Sequence, residues 1–173
     1  GNIFSLKQSF KYWDVDVNIT QDQKNILNAD KIVLPGVGAF GDAINELQKN
    51  RLFDTILEFS AKEKPLLGIC VGMQLLFDKS EEHGSYNGLG LLKGDVKAIP
   101  KKSKDGRQIR LPHMGWETLR KPQYTDWGQT LLAGVKQNKE VYFAHSFHAV
   151  PIQEQIVLSD IDIGGHDVAA FVQ

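Results

Sequence analysis

The sequence predicts an α/β domain: a mostly parallel, twisted sheet flanked by helices, with an antiparallel extension. Three observations carry that expectation. In the first half, short apolar runs alternate with helical periodicity, whereas strand patterns dominate the second half. Two of the early runs end in glycine-bearing turns that lead straight into helical patterns, as happens at the carboxyl ends of parallel strands. At 173 residues, the chain is most simply one domain spanning 1–173, long enough for a core without staples.

Composition narrows the classes of function. Apolar residues make up 42%, charged residues 24%, and the formal net charge is −1, which argues against a general nucleic-acid binder and against disorder. The one cysteine, Cys70, cannot form an internal disulfide, so a reducing cytoplasm is the expected location. No apolar run approaches the roughly 18 residues needed to span a membrane, and no signal-peptide pattern opens the chain. Gly1 stands where an initiator Met would, and a helical pattern follows at once; the chain is expected to begin inside a longer protein.

Taken in order, Ile3, Leu6, Phe10 and Trp13 recur at steps of three or four, giving a helix that Asn2 is placed to cap. Val15, Val17 and Ile19 alternate with polar residues as a short strand, and Lys31–Leu34 forms a second. The loop Pro35-Gly36-Val37-Gly38-Ala39-Phe40-Gly41 then leads into a helix with Ile44, Leu47, Leu52 and Ile56 as its apolar positions. Glycines at that density serve either a tight turn or close approach of the backbone to a ligand, and the Lys-Ser/Thr of a phosphate loop is absent.

Leu66–Ile69 leads into Gly68-Ile69-Cys70-Val71-Gly72, the cysteine form of the Gly-x-Ser-x-Gly nucleophile elbow. Flanking glycines relieve the crowding of a strained turn, the thiol stands at a sheet edge, and a helix N-terminus favours thiolate. The Val71 N–H points where an oxyanion would develop. The same pattern also fits a lone cysteine used as a small buried hydrophobe. The elbow helix is expected to continue through Phe77 and to be closed by Ser80-Glu81-Glu82-His83-Gly84.

A strand follows near Val96–Ile99, and Lys101–Arg107 reads as a solvated hairpin or loop. Leu111-Pro112-His113-Met114-Gly115-Trp116 sets large apolar groups among Pro and Gly in an expected loop, for buried packing or for anchoring a partner. Leu131 and Leu132 fit a short helix, and Val141–Ala144 a strand running into His145-Ser146-Phe147-His148. His145 and His148 lack further ligands at metal spacing, so no metal is expected. Ile156–Leu158 and Val168–Val172 finish as strands around Gly164-Gly165.

Together these segments resemble the triad-type class I glutamine amidotransferases, closely so the glutaminase subunits of imidazole glycerol phosphate synthases. The matching stretches run from Leu34 to Gly41 and from Gly68 to Phe77. Ser80-Glu81-Glu82, Gly88-Leu89-Gly90, Pro112–Trp116 and Tyr142–Ser146 complete the set. The resemblance implies a flavodoxin-like core, no cofactor, and attack of a cysteine on the side-chain amide of glutamine. It implies Cys70 as nucleophile, with Val71 and the Gly36-Val37 backbone as oxyanion donors. Gly38, Gln74, Glu82, His145, Ser146 and Phe147 would surround the substrate. Asn2, Pro112, Met114 and Trp116 would meet a (β/α)8-barrel cyclase, into which ammonia passes.

Two departures from the family pattern stand out. Glu117 follows Trp116 where the family usually has Asn. The family's catalytic His and Glu lie in a Phe-His-Pro-Glu-Lys-Ser motif; no histidine here has a Glu two residues on, so the 173 residues are expected to lack both the first strand and that segment. Taken literally, such a piece is expected to be inactive. Two alternatives stand beside the glutaminase: a paralogue feeding a synthase that modifies sugars of surface polysaccharide, and a non-catalytic partner-binding subunit.

Overall fold

Ile32–Gly36 and Leu66–Cys70 are five-residue apolar runs too short for a stable helix, and they pair in parallel as β1 and β2, with Gly36 directly opposite Cys70. The computed structural model describes residues 3–173; the expected cap at Asn2 lies outside them. Helix α1 (Ile3–Lys11) ends before Trp13, and no strand forms over 15–19. Val15 and Ile19 are exposed there, because alternation yields a strand only where a neighbouring edge takes up its ladder. A helix not anticipated in the polar link, α2 (Gln23–Asn28), is capped by Asp22, whose side chain accepts from the Asn25 N–H at 2.8 Å.

The helix expected after the glycine-rich loop is two. α3 (Phe40–Lys49) and α4 (Leu52–Ser60) meet at Arg51, which adopts a left-handed φ of 56°. Ile44, Leu47, Leu52 and Ile56 are all buried as expected, but the five-residue step from Leu47 to Leu52 breaks the three-four rhythm. The elbow helix α5 (Val71–Gln74) is also shorter than expected. Tight i→i+3 turns carry the chain on to Phe77, and Lys79–Ser80 is a strand, β3, rather than a helix end.

β3 pairs antiparallel with β4 (Tyr86–Asn87) and parallel with β5 (Gly94–Ala98), and β5 pairs antiparallel with β8 (Phe147–Pro151). The stretch expected as a loop around Trp116 is a strand, β6 (His113–Thr118), in antiparallel register with β7 (Glu140–His145). Its large side chains suit a pleated ladder, and Pro112 stands just ahead of it, where no ladder N–H is required. Leu131 and Leu132 lie in turns after a single 3-10 turn at Trp127–Gln129, with only Leu132 buried. β9 (Val157–Ile163) and β10 (His166–Val172) form the hairpin expected around Gly164-Gly165. Lys102 and Gln108 bridge at the base of a hairpin, as the polar run over 101–107 suggested.

Two apolar clusters form the core. One joins α3 and α4 to the elbow through Phe40, Ile44, Ile56, Leu75 and Phe77; the other lies under β9 and β10, around Ile99, Leu119, Trp127, Ile161 and Val168. No helix among the described residues is long and apolar enough to cross a membrane.

Candidate active site

Cys70 ends β2 and precedes α5 with φ 56° and ψ −121°, angles that residues with a Cβ avoid. Such a backbone costs on the order of 1–3 kcal/mol and persists only where its surroundings hold it. Three glycines do the holding. A Cβ on Gly68 would lie 2.6 Å from the Met73 Cα, and one on Gly36 2.6 Å from the Gly72 nitrogen. A Cβ on Gly72 would collide with the Leu34 carbonyl oxygen. The end of β1 and the turn after β2 are therefore in backbone contact, and the thiol is left exposed at their common end. This excludes the buried-hydrophobe reading of Cys70.

Val71 opens α5, where the first N–H groups have no partner within the helix. Gly36 stands directly across the ladder from the cysteine, and Val37, the next residue, is exposed. Gly38 has φ +85° and open space where a Cβ would sit, so it serves the turn and not the packing.

Gln74, in α5, is tied to the corner between β7 and β8 from the far half of the chain. Gln74 is 7% exposed and donates from Nε2 to the Phe147 carbonyl at 3.1 Å. His145 Nδ1 lies 3.1 Å from the same oxygen, which makes Nδ1 the protonated nitrogen. Burial pushes the His145 imidazole below the usual histidine range; the Phe147 carbonyl opposes this and His113 adds to it. The Ser146 carbonyl accepts from the Ile99 N–H at 2.9 Å, fixing the corner between β7 and β8. His83 meets the Phe147 ring edge-on at 6.4 Å. Glu82 accepts the Phe40 N–H at 2.7 Å, so one carboxylate oxygen caps α3 from a distant segment. That link, invisible to local pattern, places the acid beside the loop that follows β1.

None of the five histidines is hydrogen-bonded to Cys70. His113 and His145 face each other across β6 and β7, His148 lies in β8, and His166 lies 2.9 Å from the Lys102 carbonyl. Pro112, Met114 and Trp116 are exposed on one face of β6; Trp116 meets Tyr142 of β7 edge-on at 5.7 Å. Tyr142 extends this apolar face, although the sequence did not single it out for partner contact.

A strained cysteine at a strand-to-helix elbow, backed by interlocked glycines, defines a thiol-nucleophile enzyme on an α/β scaffold. The family model of class-I glutamine amidotransferases matches residues 2–172. The HisH 1 subunit of imidazole glycerol phosphate synthase from Legionella pneumophila (strain Lens) is 38% identical over 174 residues, covering 100% of this chain and 82% of that protein. The HisH subunit from Aquifex aeolicus (strain VF5) is 41% identical, covering 98% and 78% respectively. A solved glutamine amidotransferase superposes with a TM-score of 0.68 at 16% identity over 97% of this chain and 78% of that one, a likeness of fold. The chain belongs to the class-I glutamine amidotransferases, among the HisH subunits of imidazole glycerol phosphate synthase.

Proposed function

We propose that the protein is the glutaminase subunit of an imidazole glycerol phosphate synthase, cytoplasmic, acting in histidine biosynthesis. It hydrolyses glutamine to glutamate and passes the ammonia to a (β/α)8-barrel cyclase. The observation that carries this reading is the strained, exposed Cys70 held by Gly36, Gly68 and Gly72 in a chain of HisH sequence.

The Cys70 thiolate adds to the glutamine side-chain carbonyl, and the Val71 N–H with a donor from Gly36–Val37 takes the negative charge. Collapse releases ammonia and leaves a thioester, which water hydrolyses to glutamate and free thiol. Gln74, Glu82 and the corner 145–147 hold the amino-acid end of the substrate; a fixed carboxylate suits its ammonium group. Gly38 lets the loop pass beside it. The base that takes the thiol proton, in the family a histidine held by a glutamate, is assigned to none of these 173 residues, so the test uses the full-length gene product. The apolar face of Pro112, Met114, Trp116 and Tyr142 docks the barrel.

Glutamate release by the full-length protein, measured with and without the barrel subunit, tests this. Activity that rises with the barrel and disappears in Cys70→Ser is expected. Undiminished release from Cys70→Ser would overturn the assignment of the nucleophile. No release from wild type under either condition would leave a partner-binding subunit.

A further inference from the structure

The inward face of β6 carries polar groups that the glutamine site does not use. His113, Gly115 and Glu117 point inward there, alternating with the exposed Met114 and Trp116. Strand geometry puts the backbones of His113 and Glu117 about 13 Å apart, so their side chains meet only by leaning along the strand. Gly115 leaves that path clear: a Cβ there would sit 3.9 Å from Glu117 Oε1. The carboxylate comes within 3.0 Å of His113 Nε2, although not at hydrogen-bonding angles, and Nε2 has no other partner. An open cavity of about 640 Å3, shared with Arg110 and Asp162, borders the pair and gives the carboxylate access to water.

His113 stands opposite His145 in the ladder, with ring centroids 5.9 Å apart and planes at 77°. His145 and Gln74 in turn share the Phe147 carbonyl. An unbroken line of contacts thus runs from Glu117 to the wall of the glutamine pocket. It starts directly behind Trp116, which is 66% exposed on the opposite face.

We propose that Glu117 is a positioning residue that holds His113 against His145, fixes the 145–147 corner on which Gln74 is seated, and so couples the docking face to the glutamine pocket. This rests on the reading of the protein as a partner-activated glutaminase. A carboxyl or amide one methylene shorter, as in Asp or Asn, would not span the gap over Gly115.

The test is glutamine hydrolysis by the full-length protein, alone and saturated with the barrel subunit, in Glu117→Ala, Glu117→Gln and Gly115→Val. Glu117→Ala lowers the partner-stimulated kcat about tenfold and the unstimulated rate by a clearly smaller factor, leaving the partner Kd within about twofold. Glu117→Gln keeps reach and shape and restores most of the stimulation. Gly115→Val blocks the path while keeping both polar groups, and so behaves as Glu117→Ala. In the free protein, the His145 imidazole resonances move in Glu117→Ala and return in Glu117→Gln. A parallel fall of both rates would reduce Glu117 to general packing, and a raised partner Kd with full stimulation at saturation would make it an interface contact. Unmoved His145 resonances also sink the proposal. If wild type releases no glutamate, the glutaminase reading has failed on its own, and the His145 resonances still decide whether Glu117 reaches the corner.

Discussion

Cys70 spends conformational energy on exposing its sulfur, and that can be measured. Cys70→Gly removes a strain of roughly 1–3 kcal/mol and adds about 0.5–1 kcal/mol of unfolded-state entropy, so a net gain of about 1 kcal/mol is expected. The urea midpoint should rise while glutaminase activity vanishes; an unchanged or lower midpoint would show that the elbow is unstrained. Cys70 was legible in the sequence because glycines on both sides have few other reasons to be there. The Glu82–Phe40 link and the Glu117–His113 contact were not. Both depend on which residues a fold brings face to face, and Glu117 reaches His113 by leaning along β6 over Gly115.

Pairing, more than pattern, decides the elements. β1, β2, β7 and the β9–β10 hairpin could be read from apolar runs and turn glycines, since each run has a partner strand to bury it. Residues 15–19 show the same alternation without a partner and form no strand. β6 was misread as a loop because Pro112 and Gly115 weigh against a strand, whereas the ladder with β7 tolerates both. That pairing sets Trp116 against Tyr142 on an exposed sheet face, the arrangement of an anchor residue and its support. Trp116→Ala is expected to weaken barrel binding by about 2 kcal/mol, roughly thirtyfold in Kd by calorimetry. Tyr142→Ala should cost less, and the double variant less than the sum, because the two rings support each other. Strict additivity would mean that they dock independently.

Across the molecule, β8 ties the two apolar clusters together: Ala149 belongs to the first, and the corner at 145–147 leads back to β7, over the second. His148 sits in this strand opposite Lys97, with Nδ1 buried and unpartnered. Burial, then the neighbouring His145, push its imidazole down to about 4, against the helping Ala149 backbone; His166 and Lys97 add to the repulsion. The folded state thus binds the proton more weakly than the unfolded chain, where the value is near 6.5. Stability from this group is full above about pH 7 and falls as pH drops from 6.5 towards 4, by about 2–3 kcal/mol. His148→Phe should flatten that acid limb in denaturation curves taken between pH 7.5 and 4.5; an unchanged slope would assign it to other groups.

The glycine interlock also has a genetic consequence. Every missense change of one base in a glycine codon introduces a Cβ, so Gly36, Gly68 and Gly72 have no amino-acid-changing single-base neighbour that keeps the elbow intact. Gly72→Ala alone should cost about 3 kcal/mol or more, since the opposing atom is backbone and cannot swing aside. Gly106 and Gly134 have positive φ but open space, so there the cost is backbone strain alone. A saturation library selected for histidine prototrophy should show no survivors at the first three positions and a graded response at the other two. Mutational drift can thus reach the loops of this protein one step at a time, but not its nucleophile turn.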